Sequence, residues 1–391
     1  MSQSSSLETP GLVPLFYRLR NGELGPLPVL LGLVLIGLIF QTLNSHFLTP
    51  RNLSNLVLQI AVVGTLGVGV VLALLLGEID LSLGAVAGVA AAILGVLVAE
   101  HGWSGLPAII VALVAGAVMG LLQGAIVVWA RVPSFIATLA GLLAWQGVQL
   151  ILLGSTGELL IRNSLVRSLA SGYLTASQGI ALGMAVLLGV ALVIWRGRTS
   201  RRRARLENAP LREAIVQFGI WAAALLAGVA ACNSYFGVPY VVLVLGTVVA
   251  ALSWFTERTV TGRHIYAIGG NAEAARRAGI PVGAVRVGVF ALIGMLAGLG
   301  GVLSASRQFA VSIGTGGGTL LLDAIAAAVI GGTSLFGGRG RIYHAILGSL
   351  VIGSVANGLD LLGAPSSTKN IATGIILVIA VGIDALSRNR R

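Results

Sequence analysis

Apolar runs of membrane-crossing length follow one another down almost the whole chain. About 20 apolar residues cross a bilayer. Candidate spans stand near 27–43, 60–76, 81–99, 106–129, 134–153, 179–195, 214–231, 240–255, 287–304, 320–331, 343–362 and 371–386. Several are short, and 320–331 reads as re-entrant or broken. The fold class expected is all-α: a polytopic integral membrane protein with 10–12 transmembrane helices, some short or broken. Composition agrees, because only 10% of the 391 residues are charged, against roughly 25% in soluble domains.

A net charge of +12 would suggest nucleic acid in a soluble protein. Here the basic residues cluster between spans, so topology explains them and no nucleic-acid partner is expected. With the N-terminus inside, Arg18, Arg20, Arg131, Arg196, Arg198, Arg201, Arg202, Arg203, Arg205, Arg212, Arg258, Arg263, Arg276, Arg277, Arg286, Arg339, Arg341, Arg388, Arg390 and Arg391 are cytoplasmic. Arg51, Arg162, Arg167, Arg307 and Lys369 are then outside. Twenty against five favours both termini in the cytoplasm. The organisation expected is a cytoplasmic tail at 1–26, a transmembrane domain at 27–386 and a cytoplasmic tail at 387–391. The first apolar run lacks a small-residue cleavage site after it and reads as a retained span. A basic loop at 196–213 invites contact with acidic lipid headgroups, but a topogenic loop is the preferred reading. The single cysteine, Cys232, excludes an internal disulfide and a cysteine-based metal site.

The segment 256–286, TERTVTGRHIYAIGGNAEAARRAGIPVGAVR, is a basic, glycine-punctuated loop between apolar spans. Asn271 is placed to N-cap a short helix, with Glu273 near its positive start and Arg276 and Arg277 near its negative end. Gly279 supplies a stop, and Pro281 prevents resumption. A helix of about two turns is marginal alone in water, so it makes best sense as a docking helix.

Three further stretches carry polar groups among apolar ones. LLLGEIDLSLGAVAG (74–88) holds Glu78, Asp80 and Ser82 between two spans, with Asp80 placed to cap a helix beginning at Leu81. A carboxylate at mid-membrane costs roughly 2.5–3.5 kcal/mol on insertion scales, so such groups are usually functional or paired. Two readings stay open: a broken helix lining a pathway, or a turn at the membrane surface. LLDAIAAAVIGGTSLFGGRG (321–340) is a partial echo, with Asp323 ahead of a small-residue run. Paired interruptions in two halves of a chain point to a central pathway. In 131–151, Ser134 and Thr138, then Trp145 and Gln149, lie at i,i+4 spacing and suit a small polyol. The alternative role for each is helix–helix hydrogen bonding.

No Walker A sequence, HExxH, Cys/His cluster or GxSxG occurs. No catalytic residue, metal or cofactor is therefore expected on this chain.

GEIDLSLG, VPSFIATLAG, TGRHIYAIGGNAEAARRAGI and LDAIAAAVIGGTSLFGG together resemble the membrane subunit of bacterial ribose/xylose-type ABC sugar importers. The resemblance runs from about Leu53 to the C-terminus. The chain's length and its segment around 155–240 are similar to the xylose members rather than the shorter ribose members. The resemblance implies that Gly270, Asn271, Glu273, Arg276, Arg277 and Gly279 form the coupling helix against an ATP-hydrolysing subunit. Family members often carry leucine where Arg277 stands, a departure at that contact. It also implies a permease dimer, a cytoplasmic ATP-binding subunit, a periplasmic sugar-binding protein and residence in the bacterial inner membrane. Glu78, Asp80, Ser82, Ser134, Thr138, Trp145, Gln149 and Asp323 are then candidates for the sugar pathway, with a pentose, D-xylose, as the expected cargo. Alternatives are a same-family permease for ribose, galactose or another small polar solute, and a proton-coupled transporter with Glu78, Asp80 and Asp323 as its relay.

Overall fold

A computed structural model describes residues 27–205 and 211–388. Arg18, Arg20, Arg390, Arg391, the tail expected at 1–26 and residues 389–391 of the tail expected at 387–391 lie outside the described residues. The chain runs α1 (Leu27–Leu43), α2 (Pro50–Leu76), α3 (Leu83–Gly95), α4 (Gly105–Trp129), α5 (Ser134–Leu153), β1 (Glu158–Leu160), α6 (Ser164–Ser171), α7 (Ala176–Arg203) and α8 (Leu211–Asn233). It continues as α9 (Tyr240–Arg258), α10 (Val260–Gly270), α11 (Ala272–Arg277), α12 (Val282–Gln308), β2 (Ala310–Ser312), α13 (Leu320–Ile330), α14 (His344–Leu361) and α15 (Ser366–Arg388). Nine described helices are long and apolar enough to cross a membrane, and three shorter apolar helices, at 29–43, 320–330 and 366–379, accompany them. The protein is an all-α polytopic membrane protein, with one small antiparallel pair, Glu158–Leu160 against Ala310–Ser312.

Helices α2, α3, α12 and α14 form the centre, and α7, α8 and α9 are almost wholly exposed. The exposed faces are aliphatic, with Ile180, Met184, Leu188, Leu192 and Val193 along α7. Small residues carry the closest packing, as expected where apolar solvent gives helices no hydrophobic drive to associate. At the α4–α12 crossing, a Cβ on Gly116 would collide with the Gly294 carbonyl and one on Gly120 with the Phe290 carbonyl. Leu66, Leu72, Leu75, Leu83, Ile293 and Leu296 fill the core around that crossing.

The basic residues separate by end. Arg258, Arg263, Arg276, Arg277, Arg286, Arg339 and Arg341 cluster where Tyr266 Oη donates to Gly340 O (3.0 Å) and Gly338 N donates to Leu75 O (3.1 Å). Arg51, Arg162, Arg167, Arg307 and Lys369 gather at the opposite end. There Asn52 and Asn357 exchange amide hydrogen bonds (2.7 and 3.1 Å), and Lys369 pairs with Asp360.

The elements depart from the sequence expectation in four places. The span expected at 60–76 starts ten residues earlier, because Thr49 accepts from Asn52 N and Pro50 fits the first helical turn. The stretch 256–286 is not a loop: α10 occupies much of it, with Thr259 accepting from Gly262 N (3.0 Å) and Gly262, Ile265 and Ile268 buried. Pro281 does not prevent resumption; it stands immediately ahead of α12, where its missing N–H costs nothing. The expected 196–213 loop is helical as far as Arg203, since α7 continues through the basic run. Residues 206–210 lie outside the described set.

The broken character expected of 320–331 is present. After β2 the chain descends through Gly314–Gly318 along α3, and Gly84 and Gly316 meet backbone to backbone. A Cβ on either would strike the other's carbonyl. Helix α13 starts only after this descent and is 11 residues long.

Candidate functional site

Two polar constellations meet at the basic end of the bundle. One is the break between α2 and α3. Gly77 closes α2 in a left-handed conformation (φ 79°), and α3 starts at Leu83 rather than Leu81, so Asp80 is not its N-cap residue. Asp80 Oδ1 accepts instead from Ser82 N (2.8 Å) and Ser82 Oγ (2.6 Å), which fixes the turn one step ahead of the helix. Ser82 Oγ, its proton directed at Asp80, also lies 3.0 Å from the side-chain amide of Gln123 on α4. From α5, Ser134 Oγ accepts from Ile79 N (3.3 Å), and Thr138 Oγ1 accepts from Leu81 N (3.1 Å). The break is irregular backbone whose N–H groups are satisfied by neighbouring hydroxyls, as a low-dielectric setting demands.

Glu78 is 8% exposed and Asp80 6% exposed, so neither is a solvated surface acid. Arg286 Nε, at the start of α12, lies 2.8 Å from Glu78 Oε1, an ion pair although the N–H is not aimed at the oxygen. Asp323 is held elsewhere, accepting from Thr319 Oγ1 (2.9 Å). Each of the three carboxylates therefore has its own local partner.

Of the remaining polar residues on α5, Gln149 braces the fold. Its Nε2 donates to Ser312 O and Thr315 O, 3.0 Å each, pinning the chain as it descends along α3. Trp145 behaves differently. Its Nε1 and Gln123 Nε2 are buried with no hydrogen-bond partner among the described residues. Both point at Gly141 of α5, where an added Cβ would meet each of them. An unmet buried donor costs about 1–3 kcal/mol, and the indole N–H of Trp145 cannot be relieved by turning its end group as the Gln123 amide can. Gln123 was not singled out by sequence, although it is the lone amide in the apolar helix GLPAIIVALVAGAVMGLLQGAIVVW.

The second constellation is α11. Asn271 Oδ1 accepts from Ala274 N (2.9 Å), Glu273 stands in the first turn, and Gly279 has φ 82°. Arg276 Nη1 and Arg277 Nε reach back to Glu273 at 2.6 and 3.1 Å. Ala275 is buried against the body while Asn271, Glu273, Arg276 and Arg277 are exposed. The helix has an anchored face and a free, charged one.

A cavity of about 400 Å³ joins the two constellations. Glu78, Arg131, Ser134, Arg276 and Arg286 line it together with Val127, Val128, Val132 and Val282. Arg131 follows the end of α4 with φ 55°, where helices commonly carry glycine. That conformation costs an L-residue roughly 1–2 kcal/mol.

The family model for the branched-chain amino acid transport system permease component matches residues 52–381. The chain belongs to this permease family. Relatives in the same group are named for sugars. The chain is 36% identical over 396 residues to the xylose transport system permease protein of Escherichia coli K12, covering all of both chains. It is 34% identical to the xylose transport system permease protein of Haemophilus influenzae, over 96% of this chain and all of that one. To the ribose import permease protein of Bacillus subtilis it is 32% identical, over 93% of this chain and 92% of that one. No solved structure matches the chain. The chain is thus a permease component of a transport system.

Proposed function

We propose that the protein is the membrane subunit of an ATP-driven pentose importer of the bacterial inner membrane, with D-xylose as its cargo. The observation that carries the cargo is full-length similarity to proteins named as xylose transport permeases. The basic end of the bundle is taken as cytoplasmic, because positive charge favours that side. On this reading both termini are cytoplasmic, and α11 presents Asn271, Glu273, Arg276 and Arg277 to a separate ATP-hydrolysing subunit. A periplasmic sugar-binding protein delivers the cargo to the opposite end, and two copies of the permease assemble. The exposed aliphatic faces of α7 to α9 meet lipid. No cofactor is assigned to this chain.

ATP biases transport only if the partner binds the inward- and outward-facing states with different affinity. Helix α11 is suited to transmit that difference, since one of its faces is buried against the bundle and the other is free. Inside, the sugar needs brief contacts, since tight binding would slow its release. Trp145 Nε1 is the donor offered to a passing hydroxyl, with the Gln123 amide beside it. Ser134, Thr138 and Gln149 act as braces of the surrounding backbone. Glu78, Asp80 and Asp323 hold local structure instead of relaying protons, because each already has a partner.

The test is ATP hydrolysis by the chain reconstituted with its ATP-binding subunit, with xylose-loaded binding protein added. Stimulation by the xylose-loaded form above the ribose-loaded form is expected. Glu273→Arg reverses the charge at the α11 start and is expected to abolish it. Full stimulation in Glu273→Arg, with the partner still co-purifying, would remove α11 from the contact.

A further inference from the structure

The cavity between α4, α5, α11 and α12 has a charge imbalance that the helix contact alone does not explain. Three guanidinium groups line it, from Arg131, Arg276 and Arg286. Two carboxylates answer them: Glu78 pairs with Arg286, and Glu273 with Arg276, which shares it with Arg277 of the same helix. Arg131 has no carboxylate partner among the described residues. It is also held in a left-handed backbone conformation (φ 55°), an outlier of the kind that persists at functional positions. Like charges around one cavity favour an added anion, and a planar guanidinium favours a carboxylate in bidentate contact.

We infer that the cavity receives one acidic side chain of the ATP-hydrolysing subunit, gripped by Arg131 beside the Glu78–Arg286 pair. The inference rests on the docking role proposed for α11 and extends the contact beyond that helix. Arg131, the cavity guanidinium with no carboxylate of its own, is the group an incoming carboxylate would meet. The partner is favoured as its source because Arg276 belongs both to the cavity wall and to α11, so a protein seated on the helix already reaches the rim. An acid inserted there lies beside Arg286, and so beside the carboxylate that anchors the α2–α3 break. Docking is thereby connected to the break by a single ion pair, with Arg286 shared between the resident acid and the incoming one.

The experiment uses the assembled transporter in nanodiscs, in a Cys232→Ser background. Val132→Cys in the cavity wall and, separately, Ala274→Cys on α11 carry a benzophenone label. Adducts from position 132 at or beside an acidic residue of the ATP-binding subunit are expected. In parallel, Arg131→Glu should weaken the affinity for that subunit about tenfold and flatten its salt dependence, and Arg131→Lys, which keeps the charge without the fork, should keep the salt dependence and lose part of the affinity. If position 274 reaches the ATP-binding subunit while position 132 labels only lipid or its own chain, the cavity inference fails and the α11 contact stands. If neither position reaches it, both fail. Unchanged affinity in Arg131→Glu would overturn the inference on its own.

Discussion

At the scale of single residues, the polar groups of this chain divide into those that hold backbone and those left with something to offer. Glu78 and Arg286 belong to the first kind. Their pairing tethers an irregular turn to the start of α12, and both side chains are more than half buried. Glu78→Gln should cost about 1–3 kcal/mol, less than the 3–5 kcal/mol typical of a fully buried pair, because Arg286 retains some solvent. Thermal unfolding of Glu78→Gln, Arg286→Gln and the double variant should show non-additive losses. Additive losses would mean that the two side chains do not interact. Trp145 belongs to the second kind. Trp145→Phe keeps an aromatic side chain and removes the donor, so xylose uptake should fall about fivefold, the worth of roughly 1 kcal/mol in one hydrogen bond. The unfolding temperature should not fall, since the donor removed is an unpaired one; a fall in stability would make Trp145 a packing residue. Sequence made Glu78, Asp80 and Trp145 visible because polar residues stand out in apolar runs. It could not distinguish brace from contact, since that depends on which neighbours arrive from α4, α5 and α12. Arg131 and Arg286 were legible only as topogenic charge, because positive-inside counting treats every arginine alike.

At the scale of elements, helix placement was largely legible and helix packing was not. Hydropathy found the twelve apolar stretches because burial in lipid imposes length and composition together. It missed the first ten residues of α2, where Asn52 and Ser54 interrupt the apolar run yet are buried by α14 and its neighbours. It also missed α10, whose short buried face of Gly262, Ile265 and Ile268 is too sparse to register among glycines and charges. The cap signals at Asn271 and Gly279 were sound, because capping is a local property of the chain. The α4–α12 crossing gave no distinct signal, since the glycines that permit it look like any others in a chain with 55 of them. Gly120→Val should destabilise by about 1–3 kcal/mol or prevent folding, because the branched side chain meets the Phe290 carbonyl. Gly147→Val, on α5 with open space around it, should leave yield and unfolding temperature unchanged. Equal behaviour of the two variants would contradict the close α4–α12 approach.

At the scale of the whole molecule, the permease is a central set of helices with two irregular stretches, one leading into α3 and one packed along it. The first, at 77–82, is held by α5 and Arg286 at the basic end. The second, at 313–319, descends along α3 until Gly316 meets Gly84. Asp80 and Asp323 gave a weak hint of this pairing, but its geometry comes from glycine contacts and the Gln149 brace. The first stretch shares a cavity with α11, so the proposed ATPase contact and the irregular core are neighbours. A separate energy source acting at α11 is therefore the central claim. The measurement that tests it most directly is uptake of labelled xylose into proteoliposomes holding this chain, an ATP-binding subunit and a sugar-binding protein, with each component omitted in turn. ATP-dependent uptake that needs all three, and that excess ribose does not compete away, is the expected result. Uptake by this chain alone under a proton gradient would contradict the account.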